Sequence, residues 1–190
     1  GNCLSTFNGH SGSINTIVLN HDNTQIISGA YDNSIKIWTM MENTKMDITI
    51  PDKHSDFVSL VAFNSTNTMI VSCSHDTNIK LWSSESGKCT ATLFGHSDWV
   101  NCVAFDDSDM KIISGSNDTF VKIWDVKTKR CLLTLIGHAS WVVSATFNAD
   151  GTKAVSASDD NSIKVWNIQN EGNCLYTFNE SLSRNTTPAF

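Results

Sequence analysis

Proline is nearly absent, with two in 190 residues, and the apolar content of 40% is ordinary for a globular domain. No apolar run approaches the ~20 residues needed to cross a bilayer. No charged-then-apolar leader opens the chain, so a secretory signal is not expected. Initiator Met is also missing. The chain begins mid-pattern at Gly1-Asn2-Cys3, as expected of a piece of a longer array. Clusters of Lys and Arg are lacking: 13 basic residues stand against 19 acidic ones, for a formal net charge of −6. Phosphate-backbone binding depends on clustered cations, so neither nucleic acid nor a membrane is an expected partner. Lys36, Lys80, Lys122 and Lys164 recur one per repeat and read as solvated, outward-facing positions.

Six cysteines are present, but no Cys-x-x-Cys pair of the kind zinc sites use. Cys3, Cys89, Cys131 and Cys174 fall at one equivalent place in successive repeats, and Cys73 and Cys102 lie inside apolar runs. All six are expected to be buried small hydrophobes in a reducing compartment, the cytoplasm or else the nucleus. No metal and no cofactor is expected. Gly-x-Ser-x-Gly is absent, and so is the phosphate-cradling Gly-x-x-x-x-Gly-Lys-Ser/Thr loop. Four Asn-x-Ser/Thr sequons are no more than chance supplies in a chain rich in Asn, Ser and Thr.

What is abundant is repetition. His10, His54, His96 and His138 are spaced 44, 42 and 42 residues apart. Asp32, Asp76, Asp118 and Asp160 each follow 22 residues later, and Trp38, Trp82, Trp124 and Trp166 six after those. Ser28, Ser72, Ser114 and Ser156 precede the aspartates by four. Four residue types held in phase over four copies outweigh any single-residue reading.

Each unit reads as four strands. In the third copy the runs are Trp99–Phe105, Lys111–Gly115, Phe120–Trp124 and Arg130–Ile136, separated by Asp, Asn, Gly and Ser. Runs of this length between such residues are hairpin patterning, and helical periodicity is missing. The second and third runs are almost continuously apolar, which suits strands covered on both faces. One four-stranded sheet cannot cover itself on both faces, whereas sheets stacked radially can.

A period of ~42 residues that opens with Gly-His and closes with Trp-Asp resembles the WD40 repeat family. The resemblance spans about residues 1–178. It departs locally: Lys53 replaces the Gly before His54, and only Trp124-Asp125 is a literal Trp-Asp. It implies an all-β propeller with four four-stranded antiparallel blades in this chain, part of a ring of about seven. The expected divisions are the outer strand of a preceding blade at 1–7, repeats at 8–50, 51–94, 95–136 and 137–178, and a tail at 179–190. Gly1–Phe7 and Gly172–Phe178 are nearly identical in sequence, which supports this division.

Ser, His and Asp together invite a hydrolase reading. Four equivalent triads in one chain argue against it. The resemblance implies instead a hydrogen-bond relay within each blade, from Trp to Ser to His to Asp. Trp offers only a donor and Asp only acceptors, while Ser and His can pass the chain between them. The sixteen relay residues are His10, Ser28, Asp32, Trp38; His54, Ser72, Asp76, Trp82; His96, Ser114, Asp118, Trp124; and His138, Ser156, Asp160, Trp166. A binding site is expected where the copies differ. Three residues after each His stand Ser13, Phe57, Trp99 and Trp141, and just before each Asp stand Tyr31, His75, Asn117 and Asp159. The aromatics at these places either serve as contact points on a partner-binding rim or merely begin the inner strands and pack between blades. The leading functional expectation is a non-catalytic scaffold that binds proteins or peptides. A sensor part of a larger signalling ATPase is the alternative, and a propeller enzyme is the weakest reading. Missing blades would come from upstream sequence or from a second copy of the chain.

Overall fold

A computed structural model describes residues 2–3, 5–40, 47–50, 52–169 and 171–179. Among them, sixteen strands form four separate antiparallel sheets, each in chain order. Blade 1 holds β1 (Ile14–Leu19), β2 (Gln25–Ala30), β3 (Ile35–Thr39) and β4 (Asp47–Thr49). Blade 2 holds β5 (Val58–Phe63), β6 (Met69–Ser74), β7 (Ile79–Ser83) and β8 (Cys89–Leu93). Blade 3 holds β9 (Val100–Phe105), β10 (Lys111–Ser116), β11 (Val121–Asp125) and β12 (Cys131–Leu135). Blade 4 holds β13 (Val142–Phe147), β14 (Lys153–Ser158), β15 (Ser162–Asn167) and β16 (Asn173–Asn179). The inner strands β1, β5, β9 and β13 pack side by side in that order. Among the described residues, no helix is long and apolar enough to cross a membrane.

Local chemistry sets the hairpins. At the β1–β2 turn and its equivalents, Asn23, Asn67, Asp109 and Gly151 adopt positive φ, between 58° and 64°, which these residue types tolerate. The side chain at the head of each turn then accepts backbone N–H groups from the returning strand. Asn64 Oδ1 accepts from Thr68 and Met69 at 2.9 and 2.8 Å, and Asp106 Oδ1 from Met110 and Lys111 at 2.8 and 2.7 Å. This Asx geometry closes the turn and sets the strand register.

The core lies between blades rather than within them. Ile27, Ile35, Ile37 and Ile50 of blade 1 cluster with Val58, Val61, Phe63, Ile70 and Trp82 of blade 2. Blade 2 offers Val71, Ile79, Leu81 and Leu93 to Val100, Val103, Ile112 and Trp124 of blade 3. Blade 3 offers Ile113, Val121, Ile123 and Leu135 to Val142, Phe147, Ala154 and Trp166 of blade 4. Each blade thus presents a receiving face and a donating face.

Among the described residues the two terminal faces have no such neighbour. Ile14 and Ile17 are 55% and 65% exposed, whereas their counterparts Val58 and Val61 are 0% exposed. On blade 4, Phe178 is 52% exposed, whereas its counterparts Leu93 and Leu135 are buried. Val155, Ile163 and Val165 are only half-buried.

Several expectations need correction. Only Cys73 and Cys102 are buried; Cys89 is half-buried, and Cys3, Cys131 and Cys174 are exposed. Cys89 and Cys131 begin outermost strands and Cys174 is the second residue of one, and among the described residues no further sheet lies outside these strands. Nor are the recurring lysines simply solvated. Lys36 is buried, and Lys80, Lys122 and Lys164 are half-buried. The ammonium groups of the last three reach Thr92, Thr134 and Thr177 on the adjoining strand, so the stems lie along the sheet. Trp99 stands just ahead of β9 rather than within it. Residues 5–10 form no strand, though Phe7 lies against Trp38 with centroids 5.5 Å apart. The tail from 180 onward lies outside the described residues.

Candidate functional site

The side chains singled out by the period meet in all four blades. Trp38, Trp82, Trp124 and Trp166 each donate Nε1–H to the blade's Ser Oγ at 2.8 Å. Each Ser Oγ lies 2.7–2.8 Å from His Nε2. His Nδ1 lies 3.0, 2.8, 2.7 and 2.9 Å from the carboxylates of Asp32, Asp76, Asp118 and Asp160. With a neutral imidazole the donors have one consistent order. The indole supplies its N–H to Ser, so the Ser proton goes to Nε2, and the remaining imidazole proton on Nδ1 goes to Asp. Each carboxylate also accepts the backbone N–H that follows the His: Ser11, Ser55, Ser97 and Ala139, at 2.8–3.1 Å.

The relay therefore ties the β3-type strand, the β2-type strand, the His loop and the Asp turn together. Burial alone would raise the Asp76 carboxyl, but hydrogen bonds from His54, Ser55 and Asn78 outweigh it and bring it down to about 2. Burial likewise opposes the lowering of Asp118, which His96, Phe120 and Ser97 produce. Burial pulls His138 below the usual imidazole range, against the contact with Asp160. The four serines are themselves buried, at 0–1% exposure, with an indole N–H seated against each Oγ. None of the four is presented as a free nucleophile. Among the described residues, no group of three or more His, Cys, Asp or Glu is arranged to hold a metal ion.

The non-repeating positions lie together where the His loops meet the Asp turns. In each blade the pair is joined by one backbone bond: Tyr31, His75, Asn117 and Asp159 donate N–H to the carbonyls of Ser13, Phe57, Trp99 and Trp141, at 2.9–3.0 Å. Rings then bridge the blades. Tyr31 meets Phe57 edge-on at 4.5 Å, and Phe57 lies 5.7 Å from His75. His75 stacks on Trp99 with centroids 4.0 Å apart and planes 1° from parallel. A ladder of four rings thus crosses blades 1 to 3, with Tyr31, Phe57 and Trp99 exposed at 44%, 38% and 44%. Asn117 does not extend it. It is buried, and its Oδ1 accepts from Asn101 Nδ2 at 2.7 Å, which also donates to Val142 O at 2.9 Å. Trp141 is exposed beyond this break, and Ser13 and the half-buried Asp159 sit at the two ends.

Two residues of this surface escape a reading based on differences between copies. Asp56 and Asp98 each accept the N–H of the aromatic that follows, Phe57 at 2.8 Å and Trp99 at 2.7 Å. They share a place two residues after His, and that shared place is the signal that could have found them. Burial holds His75 below the usual imidazole range, against the pull of both carboxylates.

Four blades built alike, each closed by the same relay, are the structural counterpart of the sequence period. The profile of the family described as "WD domain, G-beta repeat" matches residues 1–39, 47–83, 87–125 and 129–167. The chain belongs to the WD40 family. Members of this family serve generally as protein-interaction scaffolds, and their propellers are generally non-catalytic. A curated relative, "Eukaryotic translation initiation factor 3 subunit I" of Nematostella vectensis, is 47% identical over 38 residues. That match covers 20% of this WD40 chain and 12% of the relative's length.

Proposed function

We propose that this WD40 chain is a non-catalytic platform that binds proteins or peptides across the rim made by its His loops and Asp turns. The exposed ring ladder Tyr31–Phe57–His75–Trp99 carries the reading. Half-exposed aromatics present large area at little entropic cost, which is the composition of binding hot spots. The sixteen relay residues are read as scaffolding that holds this rim. Ser13, Tyr31, Phe57, His75, Trp99, Trp141 and Asp159 are read as its contact residues, with Asn117 holding the rim from beneath. The acidic net charge favours a protein over nucleic acid, and a cytoplasmic setting fits the unpaired thiols. A Tyr31→Ala/Trp99→Ala double variant, compared with wild type in a pull-down, tests the rim. Equal recovery of partners by both would remove it.

The open terminal faces support a second component. They are the two halves of the interface that joins every neighbouring pair of blades, left unpaired. The occupant proposed for each is another WD40 blade, because only a blade supplies the matching half-core. Its source is either further residues of a longer protein or a second copy joined head to tail. This favours a place within a larger multidomain protein, a signalling ATPase among them, and the relative's name, that of a subunit, fits membership of an assembly. Light scattering on the chain and on Ile17→Asp separates the cases. Wild-type self-association that Ile17→Asp abolishes, with folding intact, supports blade-on-blade docking. A stable wild-type monomer would argue against it.

A further inference from the structure

The rim is not only aromatic. Its eight loop segments, 10–13, 31–34, 54–57, 75–78, 96–99, 117–120, 138–141 and 159–162, contain seven aspartates and neither Lys nor Arg. Four of those aspartates are the relay carboxylates, whose oxygens are taken up by His Nδ1 and by backbone N–H groups. The other three, Asp56, Asp98 and Asp159, lie outside the relays. Among the described residues none of the three is paired with a cation. Asp98 is exposed, and Asp56 and Asp159 are half-buried. Asp56 and Asp98 directly precede Phe57 and Trp99, so unpaired carboxylates alternate with half-exposed rings along the ladder.

This combination has one chemical complement. A carboxylate beside the face of an aromatic ring attracts a cation twice, through its charge and through the ring quadrupole, and Trp is the strongest ring for this. Arg fits best, because its planar guanidinium both stacks on rings and bonds a carboxylate in bidentate fashion. The seven like charges, on loop segments that themselves hold no Lys or Arg and with Lys53 just outside them, add a field that draws in cationic ligands. We infer that the rim site takes an extended peptide segment bearing Arg or Lys, its cations seated between Asp56 and Phe57 and between Asp98 and Trp99. This rests on the rim being the binding surface, and it adds the charge and side-chain class of what binds there.

Three ten-residue probes test it by isothermal titration on the 190-residue chain: alternating Gly-Arg, its neutral isostere Gly-citrulline, and Gly-Glu. The Arg peptide is expected to bind at least about tenfold more tightly than the citrulline peptide, with affinity falling as salt rises. The Glu peptide is expected not to bind. Asp98→Asn and Trp99→Ala should each weaken the Arg peptide roughly threefold or more. Asp107→Asn, in the turn at the other end of β9, should not. Equal affinity for the Arg and citrulline peptides, no binding of the Arg peptide, or equal losses in Asp98→Asn and Asp107→Asn would each overturn the inference. Citrulline or Glu peptide binding that Trp99→Ala removes would overturn the cationic class and leave the rim standing. Binding indifferent to Trp99→Ala would remove both. Far-ultraviolet melts of each variant separate lost binding from lost folding.

Discussion

Gly115 of β10 and Val142 of β13 touch so closely across the blade 3–blade 4 interface that no side chain fits between them. A Cβ built on Gly115 meets Val142 Cγ1 and stands 2.8 Å from Cys102 Sγ. The glycine is therefore required by the approach of the next blade, since its own φ is not positive. Gly115→Ala is expected to destabilise the chain by about 1–3 kcal/mol through overpacking. Val142→Ala should recover part of that loss when combined with it. Thermal melts of the two single variants and the double variant give the answer. Strictly additive losses would show that the two residues do not compete for the same space.

Removing the far end of a relay leaves its donors stranded. Asp118→Ala deprives His96 Nδ1 and the backbone N–H groups of Ser97 and Phe120 of their acceptor. The expected loss is about 1–3 kcal/mol, the cost of unsatisfied buried donors. A melting curve superimposable on wild type would count against a structural role for the relay.

Blades 2 and 3 carry a backbone conformation that blades 1 and 4 accommodate better. Thr77 and Thr119 hold φ of 70° and 73°, an unusual setting for β-branched residues, whereas Asn33 and Asn161 occupy the equivalent turns at 65° and 64°. Thr119→Asn is expected to raise stability by about 0.5–1 kcal/mol by relieving that strain. Urea denaturation reads the change as a higher midpoint at unchanged slope. A lower midpoint would mean that the Thr119 side chain does something the turn geometry does not reveal.

Acid should unfold the chain in two stages. His138 sits below its ordinary value of 6.5 because it is buried, so the unfolded chain takes up that proton first. Stability is fully present above pH 6.5 and begins to fall below it. The relay carboxylates sit below their ordinary 3.8, Asp76 at about 2, so their contribution is present above pH 4 and is lost as the pH drops towards 2. Melting temperature measured from pH 8 to 2.5 should be level at first, decline gently below 6.5 and drop steeply below 4. A melting temperature that rises between pH 7 and 5 would contradict the neutral, buried imidazole.

The sequence by itself determined the blade. Period, strand runs, turn residues and the Trp–Ser pair of each relay are legible because they depend on hairpin register, and register is a local property; the His and Asp partners were implied by the family resemblance, since the His loops lie outside the strands. Once β10 pairs with β11, Ser114 and Trp124 lie two residues out of opposition on the same side of the sheet, and their hydrogen bond follows. The tertiary structure alone decided what happens between blades. His75 and Trp99 stand 24 positions apart, and so do Asn117 and Trp141 at the equivalent places one blade further on. Yet the first pair stacks as a rung of the ladder, while Asn117 turns inward to Asn101. The same holds for the cysteines, whose equivalent spacing says nothing of whether another sheet lies outside them, and for Ile17 and Val61, identical in pattern and opposite in burial. Spacing along a chain sets which residues share a strand and a face. Whether that face is covered depends on the neighbouring sheet, and one repeat carries no information about its neighbour.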